Sequence, residues 1–236
     1  MEWATNKAVD ELTIRPIGHV RTCYPEKFGV PRQAGLVPAA TGELVFEPGF
    51  RKEEAVRGLE GFSHLWLTFV FHLVPDEEPR LSVRPPRLGG NERVGVFATR
   101  SPFRPNKIGL SAVRLLGIRY EDAEAPVLQL GGVDLVDGTP VLDVRPYLPY
   151  ADAIPDAEGG FAGAAPAKVP VVVDPACEGA FGELPDALRE LVQETLALDP
   201  RPGYHDEEGR PYTAAFADRQ VTWAFGEGKV RILAFR

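Results

Sequence analysis

The residue types best suited to binding an anion are concentrated in one loop of the sequence. Residues 98–111 contain two prolines that stiffen the backbone, and the loop carries Arg100, Phe103, Arg104 and Lys107. Arginine and lysine donate charge-assisted hydrogen bonds to carboxylates and phosphates, and an aromatic ring gives a base a surface for stacking. Packing alone would not require three cations on one loop, so we predict that the loop binds a ligand.

A second polar loop covers residues 136–140. Asp137, Gly138, Thr139 and Pro140 bring a carboxylate, backbone amides and a hydroxyl, which would suit the amine or the ribose of a ligand. The same residues also make a good hairpin turn between two strands. From the motif alone, the turn is the favoured interpretation.

Several other chemistries lack their sequence motifs. The sequence contains no GxxxxGK[ST], GxGxxG, GxSxG or HExxH pattern, so nucleotide-binding loops and the common hydrolase sites are not indicated. His64 and His72 fall on one face of a predicted strand, but so wide a pair is usually structural, and we expect no metal site. Cys23 and Cys177 are far apart, which favours two free thiols in a reducing cytosol over a disulfide.

Charge is unevenly distributed along the chain. The net charge is −8, yet residues 80–119, the basic segment, contain nine basic residues and one acid, Glu92. Residues 120–200 contain sixteen acidic and three basic residues. A basic segment within an acidic protein suggests an anionic ligand that is met locally. Pairing of these arginines with the acidic half is equally compatible with the charge counts.

Short apolar runs separated by turn residues predict a mainly β protein. The 24 glycines and 23 prolines indicate many turns, and one or two helical turns are expected at 51–58. The predicted strands are 12–22, 42–47, 64–72, 93–99, 109–119, 126–133 and 140–145. Such a series is typical of a compact β-barrel or sandwich, and we predict one β-barrel unit over 12–152.

The remainder of the chain predicts a linker and a second unit. An Ala-, Gly- and Pro-rich stretch indicates a linker at 153–167, and a small α+β domain is expected over 168–236. Its predicted elements are a strand at 169–173, a helix at 185–197 and a hairpin around 226–228. The longest apolar run is far shorter than the ~20 residues of a membrane helix, and no signal peptide is recognisable, so we expect a cytoplasmic protein.

Seven long and unusual strings carry a family resemblance. They are PRQ at 31–33, GFSHLW at 61–66, RPPRLGG at 84–90, GVFATRSPFRPN at 95–106, DGTP at 137–140, RPYLPY at 145–150 and DPRPGY at 199–204. With these strings, the sequence resembles the TsaA/YaeB-type family, the TrmO-type tRNA methyltransferases. The resemblance covers the chain from around Ile14 to its end.

The resemblance implies a β-barrel methyltransferase unlike the Rossmann-type enzymes. It would bind S-adenosylmethionine, work as a homodimer and methylate the exocyclic nitrogen of threonylcarbamoyladenosine at position 37 of tRNA, next to the anticodon. By motif matching, the cofactor would be lined by Pro31, Arg32, Gln33, His72, Leu73, Arg100, Leu110, Asp137, Gly138, Thr139 and Pro140. Arg201, Pro202 and Tyr204 would hold the modified nucleoside, and Arg104 and Lys107 are further substrate-binding candidates.

One residue departs from the family pattern, and the base of the reaction stays open. Lys107 stands where the family has proline, which changes the stiffness of the loop and adds a charge. A strong base is not required, because the proton can leave after the nitrogen has gained the methyl group. Tyr204 and His205 adjoin the substrate motif and are the candidates if a base exists.

Two interpretations from other classes remain. The first is a non-catalytic β-barrel that senses S-adenosylmethionine or another small anion; it would have no need of Arg201 and Tyr204. The second is an RNA chaperone that uses the basic segment alone, which predicts binding that collapses with salt and ignores the modified base.

Overall fold

The computed structural model describes residues 12–75, 78, 80–202, 205 and 207–236. Its strands are β1 (Gly18–Thr22), β2 (Thr41–Phe46), β3 (His64–Val70), β4 (Ser82–Val83), β5 (Val94–Gly95), β6 (Ile108–Arg119), β7 (Val127–Gly131), β8 (Pro140–Pro146), β9 (Val171–Val173), β10 (Pro211–Phe216), β11 (Arg219–Gly226) and β12 (Lys229–Phe235). Its α-helices are α1 (Glu53–Val56), α2 (Pro149–Asp152), α3 (Glu178–Gly182) and α4 (Asp186–Ala197). The prediction of a mainly β fold is confirmed.

Within the described ranges, six strands close into an antiparallel barrel in the order β1-β2-β7-β6-β3-β8, with β8 returning to β1. The residues of β3 alternate between the barrel interior and its outer face, and Leu65, Leu67 and Phe69 are buried. This period of two is what a strand with one buried face requires. Strand β6 places Ser111 and Val113 inward in the same way. Side chains therefore fill the barrel.

The C-terminal unit is a four-stranded sheet that packs with the helices α3 and α4. Its strand order is β10-β11-β12-β9, and β9 runs parallel to β12. The apolar stripe of α4, which includes Leu191, Val192 and Leu196, is buried in the core, as the helical spacing predicts. The predicted hairpin is β11 and β12. The expected small α+β unit is therefore present.

The loop between β1 and β2 joins the barrel to the C-terminal unit. Tyr24 in this loop is fully buried, and its hydroxyl lies 3.1 Å from Oγ1 of Thr195 in α4. Phe28 stacks on Trp223 of β11, with ring centroids 5.5 Å apart. One apolar core runs through both units. The division of the chain into two domains therefore stays a prediction.

The expected strand at 93–99 is wrong beyond β5. Strand β5 pairs with the equally short β4, and the chain then turns into a 3₁₀ helix at Val96–Ala98. Thr99 closes this turn, because both its amide and its hydroxyl donate to the carbonyl of Val96. The segment has the residue types of a strand, but local hydrogen bonds replace those of a ladder.

The expected hairpin turn at Asp137 and Gly138 is also wrong, because β7 and β8 are not neighbours. Strand β7 lies between β2 and β6, whereas β8 lies between β3 and β1. The connection therefore crosses one end of the barrel. Gly138 has a φ of +76° and donates its amide to the carbonyl of Val20, which fixes this crossing to β1.

The first strand and β3 are shorter than predicted, and two strands, the two-residue β4 and β10, were missed. The first strand begins at Gly18 rather than at Leu12, because the residues before Ile17 are exposed. Strand β3 ends at Val70, so His72 follows the strand rather than sharing a face with a histidine inside it. Strand β10 was not predicted; it is short, begins with proline and contains two alanines.

Cys23 and Cys177 are free thiols, and burial raises the pKa of Cys23 to about 11, so this thiol is unreactive. None of the helices in the described part of the chain is long and apolar enough to cross a membrane. The described residues contain no cluster of three or more His, Cys, Asp and Glu side chains that would hold a metal ion.

Candidate functional site

The antiparallel order brings three loops to one end of the barrel. Strands β1, β3 and β7 end there, while β2, β6 and β8 begin there. The connections 23–40, 71–107 and 132–139 therefore meet around one opening, which we call the loop mouth. The predicted cofactor residues lie in these three loops or at the first residues of β6 and β8. Sequence positions more than a hundred residues apart are thus brought to one place.

Two predicted cofactor residues touch across the loop mouth. Gln33, in the loop after β1, accepts at Oε1 a hydrogen bond from Nη1 of Arg100, in the loop after β3. The preceding Pro31 is buried, which fixes the backbone beside this contact. Burial and the nearby charge of Arg87 lower the pKa of Arg32. The Pro-Arg-Gln triplet is therefore an ordered edge of the loop mouth that lies next to the basic segment.

His72 and Leu73 lie at the start of the second loop, directly after β3. Lys27 from the first loop donates through Nζ to the carbonyl of Leu73. Desolvation and the charge of Lys27 lower the pKa of His72. The imidazole is therefore neutral at pH 7, and it can accept or donate a hydrogen bond. This contact holds the two predicted cofactor residues beside the Pro-Arg-Gln loop.

The side chains of Lys107 and Arg104 donate hydrogen bonds to backbone carbonyls of the loop mouth. Lys107 has a φ of +51°, and its Nζ lies 3.2 Å from the carbonyl oxygen of Val74 and 2.9 Å from that of Pro75. Arg104 donates through Nη1 to the carbonyl of Thr99 at 2.9 Å. Both side chains therefore stabilise the loop that carries them.

Arg201 brings the C-terminal unit to the loop mouth. Its Nε and Nη2 atoms each lie 2.7 Å from a carboxylate oxygen of Asp199, and its guanidinium stacks 3.6 Å from the ring of Phe225. Its carbonyl oxygen lies 3.5 Å from Nη2 of Arg32. The following Pro202 is half-buried. A predicted substrate residue and a predicted cofactor residue are thus in contact across the two units.

The catalytic candidates follow Arg201 in the chain. Tyr204 lies outside the described residues. Nδ1 of His205 lies 3.0 Å from the hydroxyl of Tyr212, and the two rings stack with centroids 5.9 Å apart. The ring of Tyr212 also lies 6.1 Å from that of Phe28, which belongs to the first loop of the mouth. His205 is therefore positioned by an aromatic cluster that includes this loop.

The 136–140 loop uses most of its polar groups internally. Oδ1 of Asp137 accepts the amide of Thr22 at 2.9 Å, and the buried hydroxyl of Thr139 donates to the carbonyl of Val136 at 2.6 Å. The structure thus gives Thr139 a role in shaping the loop. Leu110 differs from the other predicted cofactor residues, since its side chain is 53% exposed on the outer wall of β6.

A buried carboxylate at the loop mouth was missed by the sequence analysis. Oδ1 of Asp134 is closed off from solvent and has no hydrogen-bond partner among the described residues. Burial raises the pKa of this carboxyl to about 6, while the Ser111 hydroxyl, the amide of Ala34 and the charge of Arg100 act against that rise. The signal in the sequence is an acid between two buried apolar residues, but it has meaning only once the loops meet.

The structure bears on the two interpretations of the basic segment. Arg119 pairs with the carboxylates of Glu43 and Asp122. In contrast, Arg87, Arg93, Arg100 and Arg104 donate to neutral oxygens of other described residues. These contacts favour an anionic ligand over neutralisation by the acidic half.

Fold and site together define a β-barrel protein whose ligand site lies in the loops at one end of the barrel. Residues 19–153 match the tRNA-methyltransferase O N-terminal domain, and residues 166–236 match the TrmO C-terminal domain. The chain therefore belongs to the TrmO family.

Relatives of known name and structure match over nearly the whole chain. A Pseudomonas aeruginosa protein with the provisional name S-adenosylmethionine-dependent methyltransferase RcsF is 49% identical, over 90% of this chain and 92% of its own. The tRNA (adenine(37)-N6)-methyltransferase of Escherichia coli is 46% identical, over 92% of this chain and 95% of its own. The crystal structure of TrmO from P. aeruginosa superposes with a TM-score of 0.79 at 39% identity, over 98% of this chain and 99% of that one.

Proposed function

We propose that the chain transfers a methyl group from S-adenosylmethionine to the exocyclic N6 of threonylcarbamoyladenosine at position 37, in the anticodon loop of tRNA. Membership of the TrmO family and the name of the E. coli relative support the reaction on adenine 37 of tRNA. The observation that carries the proposal is the convergence of the predicted cofactor loops on one mouth, with Arg201 in contact with Arg32.

The residues of the loop mouth fit a cationic cofactor. Oδ1 of Asp134 is a buried acceptor without a partner among the described residues, and Gln33 carries a polar amide at the same mouth. When bound, the cofactor supplies an electrophilic methyl group on a sulfonium. The chain's contribution is to hold that methyl group in line with the acceptor nitrogen and to exclude water, since alignment alone can supply much of a rate.

The substrate side of the site is basic. Threonylcarbamoyladenosine carries a carboxylate, and the surrounding anticodon loop carries phosphates. Arg201, Arg104 and Lys107 are the proposed partners of these anions, and Pro202 and Tyr204 complete the nucleoside site. The remaining arginines of the basic segment would contact phosphates, which position RNA without reading its sequence.

Proton removal is proposed for Tyr204 or His205, in either case after the nitrogen has gained its methyl group. The contact between Nδ1 of His205 and the hydroxyl of Tyr212 orients the imidazole for such a role. Loss of methylation by Tyr204→Phe with unchanged tRNA binding would support a chemical role for Tyr204. Unchanged turnover in this variant would exclude a chemical role for Tyr204.

We propose that the enzyme is a cytoplasmic homodimer. Large apolar side chains around the second loop of the mouth support an interface there: Leu81 is 77% exposed, Phe97 75% and Leu110 53%. A second copy of the chain would cover this apolar surface.

Two anticodon stem-loops test the proposal, one with threonylcarbamoyladenosine at position 37 and one with plain adenosine. We expect labelled methyl transfer from S-adenosylmethionine to the modified stem-loop alone. No transfer to either, with the cofactor still bound, would favour the sensor. Binding that ignores the modified base and collapses with salt, without transfer, would favour the RNA chaperone.

A further inference from the structure

Asp134 lies where the three segments of the loop mouth meet. It follows β7, its carboxyl interacts with the Ser111 hydroxyl of β6 and the amide of Ala34 in the first loop, and the charge of Arg100 acts on it from the second loop. The negative charge of Asp134 also contributes to the raised pKa of Tyr24 in the first loop. Each of these segments carries residues predicted to line the cofactor.

The environment of Asp134 is unfavourable for a carboxylate that serves stability alone. One of its two oxygens is closed off from solvent without a hydrogen-bond partner among the described residues. Leaving a buried polar atom without a partner costs free energy, and more so when the group is charged. Asp134 takes part in none of the ion pairs between described residues. Groups that cost stability in this way are concentrated at functional sites.

The proposed cofactor has the complementary charge. S-adenosylmethionine carries a positive sulfonium and, on its amino-acid end, an α-ammonium group. Arginines surround the loop mouth, and they would repel both groups. A cationic ligand is therefore bound in this basic surrounding only where an anion is held nearby.

We propose that the carboxylate of Asp134 binds the positive charge of the cofactor, a role that rests on the proposed function. Its unpartnered oxygen faces the cationic group, while its contacts with Ser111 and Ala34 hold the carboxylate in place between β6 and the Pro-Arg-Gln loop. Because that oxygen is closed off from solvent, the cofactor reaches it by displacing side chains packed at the loop mouth. Asp134 would in this way select S-adenosylmethionine over neutral adenosine derivatives.

Asp134→Asn tests this assignment, because it keeps the shape of the side chain and removes its charge. Calorimetry without RNA would compare three ligands: S-adenosylmethionine, S-adenosylhomocysteine, which lacks the sulfonium, and methylthioadenosine, which lacks both positive groups. We expect the substitution to lower the affinity for S-adenosylmethionine by a factor at least ten times larger than its effect on the affinity for methylthioadenosine. An equal loss for S-adenosylhomocysteine assigns the ammonium as the partner, and a loss confined to S-adenosylmethionine assigns the sulfonium.

A pH profile separates a charge role from a packing role. The affinity of the wild-type chain for S-adenosylmethionine should fall as the pH is lowered through about 6, where burial places the pKa of Asp134. The fall should be smaller in the Asn variant, in which His72 of the cofactor site still gains a positive charge on acidification while Arg100 and Tyr24 are unchanged. The thermal midpoint of the Asn variant at pH 7.5 should equal or exceed that of the wild type. Asp152→Asn is the control, since Asp152 accepts the amide of Leu148 beyond the opposite end of the barrel.

Equal changes in affinity for all three ligands, or no change, would overturn the assignment of Asp134. Either result leaves the proposed function standing, provided that the wild-type chain binds S-adenosylmethionine. A wild-type chain that does not bind S-adenosylmethionine would contradict the proposed function itself.

Discussion

Cationic side chains at the loop mouth hold its loops in place through hydrogen bonds to neutral oxygens. Arg100 bonds to Gln33, and Lys107 bonds to the carbonyls of Val74 and Pro75. Arg201 is the exception, since it pairs in a bidentate manner with Asp199. Such a pair fixes the plane of the guanidinium, which lysine cannot reproduce.

Arg201→Lys should therefore damage recognition of the nucleoside while preserving the charge. We expect kcat/KM for the modified stem-loop to fall about 10- to 100-fold, or roughly 1.4–2.7 kcal/mol of transition-state stabilisation. Binding of S-adenosylmethionine should change little. Arg219→Lys is the matched control, because Arg219 forms an exposed pair with Asp218. Unchanged kcat/KM in Arg201→Lys would contradict a substrate role for Arg201.

At the scale of elements, the strand that leads into the second loop was easier to predict than the loop itself. The alternation in β3 reflects one buried face, which is a property of the segment, and the strand was found. The turn at Val96–Ala98 is closed by the local hydrogen bonds of Thr99, and the crossing after β7 depends on strands elsewhere in the chain. The spacing of apolar residues records neither effect, so a strand and a hairpin were predicted there.

The candidate site was predictable only in part for the same reason. Family strings supplied Gln33, Arg100 and Arg201, and antiparallel closure of the barrel accounts for why distant strings share one end. Asp134 belongs to none of the strings, because it stands between apolar residues and resembles the end of a strand. Its carboxyl interacts with Ser111 and Ala34, which are far away in sequence.

Lys107, the residue that departs from the family pattern, has a backbone conformation that matters for the second loop. Proline, which the family resemblance leads us to expect here, is locked near a φ of −65° and has no amide hydrogen. In this chain Lys107 has a φ of +51° and donates its amide to the carbonyl of Arg104 at 3.1 Å. The loop therefore has a backbone that proline cannot adopt at this position.

We expect Lys107→Pro to lower the free energy of unfolding by roughly 3 kcal/mol and to weaken cofactor binding. Lys107→Met keeps the backbone and removes only the Nζ contacts, so its loss should be about 1 kcal/mol. Urea unfolding followed by fluorescence would measure both variants. Equal stability of Lys107→Pro and the wild type would show that the left-handed backbone is not required.

At the scale of the whole molecule, the loop between β1 and β2 makes the barrel and the C-terminal unit interdependent. Tyr24 and Phe28 lie in this loop between two barrel strands, but they pack on Thr195 and Trp223 of the C-terminal unit. The same loop continues into the Pro-Arg-Gln edge of the loop mouth. The C-terminal unit therefore supports the cofactor site as well as contributing Arg201.

Deletion of residues 168–236 should consequently destroy the barrel rather than release it. The truncated chain would expose Tyr24 and Phe28, and we expect no cooperative thermal transition and no binding of S-adenosylmethionine. Circular dichroism and calorimetry measure both, with the full chain as the control. A cooperative transition with unchanged cofactor binding would contradict this dependence and would favour a separable sensing barrel.

A crystal structure of the chain with S-adenosylhomocysteine and a stem-loop carrying threonylcarbamoyladenosine tests the central claim most directly. We expect the cofactor product at the loop mouth beside Gln33 and Arg100, with the modified base next to Arg201. Cofactor bound elsewhere, for example in the groove on the barrel wall lined by Arg21 and Leu116, would contradict the site. A modified base remote from Arg201 would contradict the substrate assignment.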